Sequence, residues 1–173
     1  LGDVYKRQSE WNPVKDEYGA FTAIYGTLLT SFLSLLITIP LGVGTAIFIT
    51  EDFAPKVFRE IIGSFVELLA AIPSVVLGLW AIFVMEPSLR AFFVFLHNFF
   101  GWIPLFSTEP TGRNSLLAIL ILVVMLLPIV TSIARDTLNQ VPKKLRNAAY
   151  GIGASRWKTI FSVILPAALS GIM

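Results

Sequence analysis

Between Phe21 and Thr50 no residue carries a charge, and that run limits the fold more than any other feature of the chain. As a helix it would be about 45 Å long, against a hydrocarbon core of about 30 Å. A 173-residue chain that is 55% apolar and 13% aromatic, with a mean hydropathy of +0.78, has too little polar surface to clothe a soluble core. The sequence therefore predicts an all-α integral membrane protein. It contains no cysteine, which excludes disulfides, thiolate metal sites and a cysteine nucleophile.

The other apolar runs set the expected spans. The first is Phe21 to Thr50, in which "IPLGVG" (Ile39 to Gly44) favours a kink or break. A second is expected over Ile61 to Met85, interrupted by Glu67, and a third over Ser115 to Ala134. A fourth begins near Phe161. Between the second and third, "LRAFFVFLHNFFGWIPLF" (Leu89 to Phe106) is dense in aromatics and short in apolar length, the pattern of an interfacial or re-entrant helix. The opening "LGDVYKRQ", residues 1–8, reads as a non-native scar. Residues 9–173 read as one partial transmembrane domain that breaks off in a new apolar run.

Basic residues give the orientation. Arg135, Lys143, Lys144, Arg146, Arg156 and Lys158 follow the third span, whereas the loop Glu86 to Asn114 holds only Arg90 and Arg113. The first group is expected in the cytoplasm. Nucleic acid is not the expected partner, because the basic residues gather in loops between uncharged runs and form no continuous stripe. Membrane lipid is.

Within the spans, Thr27, Ser31, Ser34 and Thr38 fall within about 60° of one another on a helix. Such a stripe serves helix packing or lines a path for an oxyanion. Glu67, Ala71, Ser74 and Gly78 form a similar stripe on the expected second span. A carboxylate there is paired, neutral or turned to water, since an ionised one at the bilayer centre costs about 2.5–3.5 kcal/mol on insertion scales. His97 is the lone histidine, and without a neighbouring ligand or carboxylate it supports neither a metal site nor a catalytic pair. "GASRWKT" (Gly153 to Thr159) lacks the glycine before the lysine that a phosphate-binding loop needs. The chain is expected to have no catalytic residue, no metal and no bound cofactor.

The segment from Gln140 to Pro166 departs from the rest. Pro142 suits the first turn of a helix through "KKLRNAAYGI", Gly153 suits its C-terminal cap, and Ser155 can cap a second helix that re-enters the membrane before Pro166. Ala148 and Ala149 leave a small, flat surface that another protein can approach closely. Asn147-Ala148-Ala149, three residues, Gly153, nine residues and Val163-Ile164-Leu165-Pro166 resembles the cytoplasmic loop of ATP-binding-cassette importer permeases, with Asn147 in place of an acid and Val163 in place of isoleucine. "AAIPSVV" joined to "LPIVTSIARD" narrows the resemblance to the first of the two permease subunits of phosphate importers.

That resemblance implies part of a type I importer transmembrane domain, in the cytoplasmic (inner) membrane of a bacterium or archaeon. It implies a second permease subunit, a cytoplasmic ATPase dimer that binds ATP and magnesium, and an extracytoplasmic phosphate-binding protein. It gives Arg146, Asn147, Ala148, Ala149, Gly153, Leu165 and Pro166 to ATPase coupling. Thr27, Ser31, Ser34, Thr38, Glu67, Ser74 and Gly78 remain for the pore or a helix interface. A permease for molybdate, tungstate or sulfate carries the same loop. A secondary carrier lacking an ATPase fits less well with the loop spacing and the single acid inside the spans, and a membrane anchor fits less well with the kinked spans and polar stripes.

Overall fold

The computed structural model describes residues 11–12, 17–18, 20–51, 53–103 and 114–172. Two short strands, β1 (Trp11–Asn12) and β2 (Glu17–Tyr18), pair antiparallel with Trp11 opposite Tyr18. All other elements are helical: α1 (Phe21–Thr50), α2 (Lys56–Ala70), α3 (Ser74–Trp80), α4 (Glu86–Phe100), α5 (Ser115–Gln140), α6 (Lys143–Gly151), α7 (Arg156–Thr159) and α8 (Leu165–Ile172). A π-helical turn at Ala81–Met85 joins α3 to α4, and another at Ile160–Ile164 joins α7 to α8. Among the described residues three helices are long and apolar enough to cross a membrane: α1, the continuous Ser74–Phe100 helix, and α5.

The helix expected from Ile61 to Met85 is two helices. Pro73 has no N–H to donate and biases Ile72 away from the α region, so α2 ends at Ala70 and α3 starts at Ser74. At 15 residues α2 is about 22 Å long, too short to span alone. The expected interfacial helix at Leu89 is likewise not separate. It continues without a break from Ser74 to Phe100, and Pro104 to Phe106 lie outside the described residues. Pro87 does not stop this helix, and the turn before it is widened: Glu86 N–H bonds Ala81 O, five residues back. Pro166 is met in the same way, with Leu165 N–H bonding Ile160 O.

The chain divides into two compact units. In the first, residues 1–36 and 75–123, buried positions include Leu77, Ala81, Phe93, Leu117, Ile119 and Val123. Asn114 caps α5 by accepting from Leu117 N–H at 2.8 Å. Phe95 and Phe99, one turn apart on α4, lie with ring centroids 4.6 Å apart.

The second unit, residues 37–74 and 124–173, holds a continuous apolar core of Ala46, Ile47, Ala134, Leu138, Val141, Ile160, Ile164 and Ala168, with Val43, Phe53 and Leu165 against it. The small residues of α1 let it approach α5 closely. A Cβ built on Gly42 would lie 2.7 Å from Val130 Cγ1 and 3.4 Å from the Thr131 nitrogen. The expected break at "IPLGVG" is absent, and α1 is helical through Pro40, Gly42 and Gly44.

Candidate functional site

The basic segment after α5 lies wholly in the second unit, and its local geometry follows from side-chain chemistry. Pro142 sits one residue before α6, at the N-cap, with φ −58° and ψ 131°. The far end of α6 is closed by a pair of reversed hydrogen bonds: Gly153 N–H to Tyr150 O at 2.9 Å and Ala154 N–H to Ala149 O at 3.0 Å. This closure needs a left-handed residue. Gly153, at φ +83°, supplies it without a Cβ penalty. Ser155 then starts α7, its Oγ accepting from Lys158 N–H at 3.3 Å.

This arrangement sorts the expected coupling residues by direction. Asn147, Ala148 and Gly153 are exposed, and Ile152 protrudes with 86% of its surface open. Ala149 does not belong to that outer surface: it is 4% exposed, turned into the chain's own fold. Sequence alone could not tell the two alanines apart, because which face of α6 turns inward is set by packing. Leu165 packs against the core, while Pro166 is exposed.

Arg146 also turns inward. Its Nη1 donates to Glu51 Oε1 and its Nη2 to Leu138 O at 2.8 Å. The two side chains of the ion pair are 18% and 10% exposed. Sequence reasoning missed Glu51. The available signal was an acid directly after an uncharged span, with a basic loop elsewhere in the chain. Two cavities flank this pair. One, of about 350 Å³, is lined by Thr50, Glu51, Lys143, Arg146, Asn147 and Tyr150 among others. The second, of about 470 Å³, lies between Glu51, Phe53 and Ser155. Trp157 bridges two rings here, with centroids 4.8 Å from Phe53 and 5.9 Å from Phe161.

The residues expected in a pore or helix interface are not all brought together. Thr27 is exposed and donates to Ala23 O, Ser31 is half-buried, and buried Ser34 donates to Ser31 O. Thr38, in the second unit, is fully buried and its hydroxyl has no hydrogen-bond partner, a state shared by Thr131 and Thr159 among the described residues. The stripe of Glu67, Ala71, Ser74 and Gly78 does not exist as one helical face, because the helix ends at Ala70. Glu67 instead accepts from Arg135 Nη1 at 2.9 Å across two helices, with side chains 68% and 39% exposed. Gly78 has nothing within 4 Å of where a Cβ would stand, so the close approach between helices falls at Gly42 and not there. Among the described residues no group of three His, Cys, Asp or Glu could hold a metal.

Residues 38–173 match the family model of the binding-protein-dependent transport system inner membrane component. The chain belongs to that family and is a multi-pass membrane protein. More narrowly, it is 41% identical to the phosphate transport system permease protein PstC of Mesorhizobium japonicum and 39% identical to that of Pasteurella multocida. Each alignment covers 100% of this chain, and 54% and 55% of the respective relative. A probable ABC transporter permease protein of Bacillus subtilis, YqgH, is 38% identical over 94% of this chain and 48% of its own length. The chain thus spans about half the length of the curated relatives it matches. In fold it is similar to a chain of the inward-facing MetNI methionine ABC transporter, with a TM-score of 0.62 at 22% identity, covering 88% of this chain and 62% of that one.

Proposed function

We propose that this chain is part of the permease of an ATP-driven phosphate importer, forming a share of the translocation path and receiving a separate ATPase on the outer face of α6. The observation that carries the reading is the shape of residues 142–158: a basic nine-residue helix, closed by Gly153, that exposes Asn147, Ala148 and Ile152 while fixing itself to the core through Arg146 and Ala149. PstC relatives at 39–41% identity support phosphate as the cargo. Hydrolysis of ATP, with magnesium, belongs to the partner ATPase. A second permease subunit and an extracytoplasmic phosphate-binding protein complete the assembly. This chain contributes geometry: closure of the ATPase pair moves α6, and the helices attached to it change between two arrangements. The setting is the cytoplasmic membrane of a bacterium or archaeon.

The test is reconstitution of the whole transporter in proteoliposomes, with hydrolysis and uptake measured for binding proteins loaded with phosphate, molybdate, tungstate or sulfate. Stimulation by the phosphate-loaded protein alone is the expected result. Stimulation by another oxyanion would reassign the cargo, and uptake without an ATPase would favour a secondary carrier. Orientation is tested separately. Trp102→Cys should react with an impermeant maleimide in intact cells and Ile152→Cys only after permeabilisation, because the basic residues concentrate around Ile152. Labelling in the opposite order would place α6 on the side where no ATPase exists.

A further inference from the structure

Arg146 belongs to α6, and its guanidinium donates to two groups of its own chain. Those groups come from two other helices. Glu51 is the first residue past α1, and Leu138 O lies in the last turn of α5. We propose that Glu51 and Arg146 form a latch that makes the docking helix α6 move as one body with the C-terminal ends of α1 and α5. Glu51 is thus a positioning residue for coupling. The inference rests on the importer reading above.

The need for a latch follows from how α6 is attached. Between Gln140 and Lys143 the chain has only Val141 and Pro142, and Pro142 is extended and donates no hydrogen bond. Val141 is packed in the core, so the nine-residue lever pivots at Pro142 and needs a further hold to carry its motion to the spans. Arg146 removes that freedom. Its planar fork fixes two directions at once, one toward Glu51 and one toward Leu138 O, which a point-charge ammonium cannot do. Leu138 O also accepts from Val141 N–H at 3.3 Å. It sits where a helix end leaves carbonyls short of donors and favours a cation.

A second fixed point strengthens the attachment. Ala149, three residues on and so on the same face as Arg146, is buried. The turn after α1 is held from both sides: Glu51 by Arg146 of α6, and Phe53 by the ring of Trp157 in α7. Phe53 N–H bonds Glu51 O at 2.8 Å, tying these two holds together. Because the ion pair is largely shielded from water, salt does not loosen it as it would a surface pair.

The experiment uses the assembled transporter in proteoliposomes, with Glu51→Gln, Arg146→Lys, and the pair Glu51→Cys with Arg146→Cys. The chain has no other cysteine to interfere. ATPase content, basal hydrolysis and phosphate uptake per ATP are read together. Glu51→Gln is expected to keep its ATPase and basal hydrolysis while uptake per ATP falls at least about tenfold. Arg146→Lys, which keeps the charge and loses one prong, should fall several-fold. The cysteine pair should be uncoupled until a short bifunctional thiol reagent joins the two positions, and coupled afterwards. This rescue separates a mechanical tie from a general need for the charges. Wild-type uptake per ATP in Glu51→Gln or Arg146→Lys, or no recovery on cross-linking, overturns the latch. Absence of an ATPase from the wild-type complex would instead sink the importer reading beneath it.

Discussion

Gly42 allows a quantitative test of how α1 packs on α5. Replacing it with alanine adds one methyl carbon 2.7 Å from Val130 Cγ1 and 3.0 Å from Val130 Cβ, well inside the optimum of about 3.5–4.0 Å for carbon pairs. Val130 cannot swing aside cheaply, since a β-branched residue in a helix has one strongly preferred rotamer. Overpacking of this kind costs about 1–3 kcal/mol. The same change gains about 1 kcal/mol of helix propensity, so the net loss at Gly42 is about 0–2 kcal/mol. Gly44, two residues on, has nothing within 4 Å of a Cβ, and there the propensity gain stands alone. The difference between Gly42→Ala and Gly44→Ala is therefore about 1–3 kcal/mol, with propensity cancelled. Thermal unfolding of the detergent-purified protein reads it directly. Adding Val130→Ala to Gly42→Ala should recover part of the loss, because it removes the 2.7 Å contact and leaves the one at 3.0 Å. Equal midpoints for Gly42→Ala and Gly44→Ala would show that the two helices do not approach as closely as described.

Ala149→Asp should destabilise the chain itself by several kcal/mol, because it buries a carboxylate without a partner, and should lower its level in the membrane. Ala148→Asp, on the exposed neighbour, should leave that level unchanged and reduce co-purified ATPase. Gly153→Ala should cost about 1–2 kcal/mol from the left-handed backbone alone, since no atom lies near the added Cβ, whereas Gly153→Asn should cost less; unfolding midpoints distinguish the two. Glu67→Gln should change stability by about 1 kcal/mol or less, as expected for an exposed ion pair; a larger loss in the same assay would mean that its pairing with Arg135 is shielded in the membrane.

What was legible in the sequence was local. The uncharged run gave α1 its bounds of Phe21 and Thr50, and the chemistry of Gly153 and Ser155 marked the end of one helix and the start of the next. What was not legible depended on partners distant in the chain. Glu51 and Arg146 are 95 residues apart, and no periodicity joins them. The inward face of α6, which separates Ala149 from Ala148, is chosen by the core beneath it. The second span was misread because a proline does not announce its effect: Pro73 follows the end of a helix, whereas Pro87 sits inside one.

The wide turns before Pro87 and Pro166 have a consequence for phase. A π turn stores one residue more than an α turn, so the helix beyond it is rotated by about 100° relative to an uninterrupted α-helix. The faces of α3 and α4 therefore cannot be read on a single helical wheel, although the chain between them never leaves the helix. A proline alone does not impose such a turn, for Pro40 and Pro128 lie within α1 and α5 without one. In both wide turns the five-residue hydrogen bond is made by the residue just before the proline, Glu86 to Ala81 O and Leu165 to Ile160 O. Closing either turn to α geometry would wind its helix in by one residue and rotate what lies beyond it by about 100°.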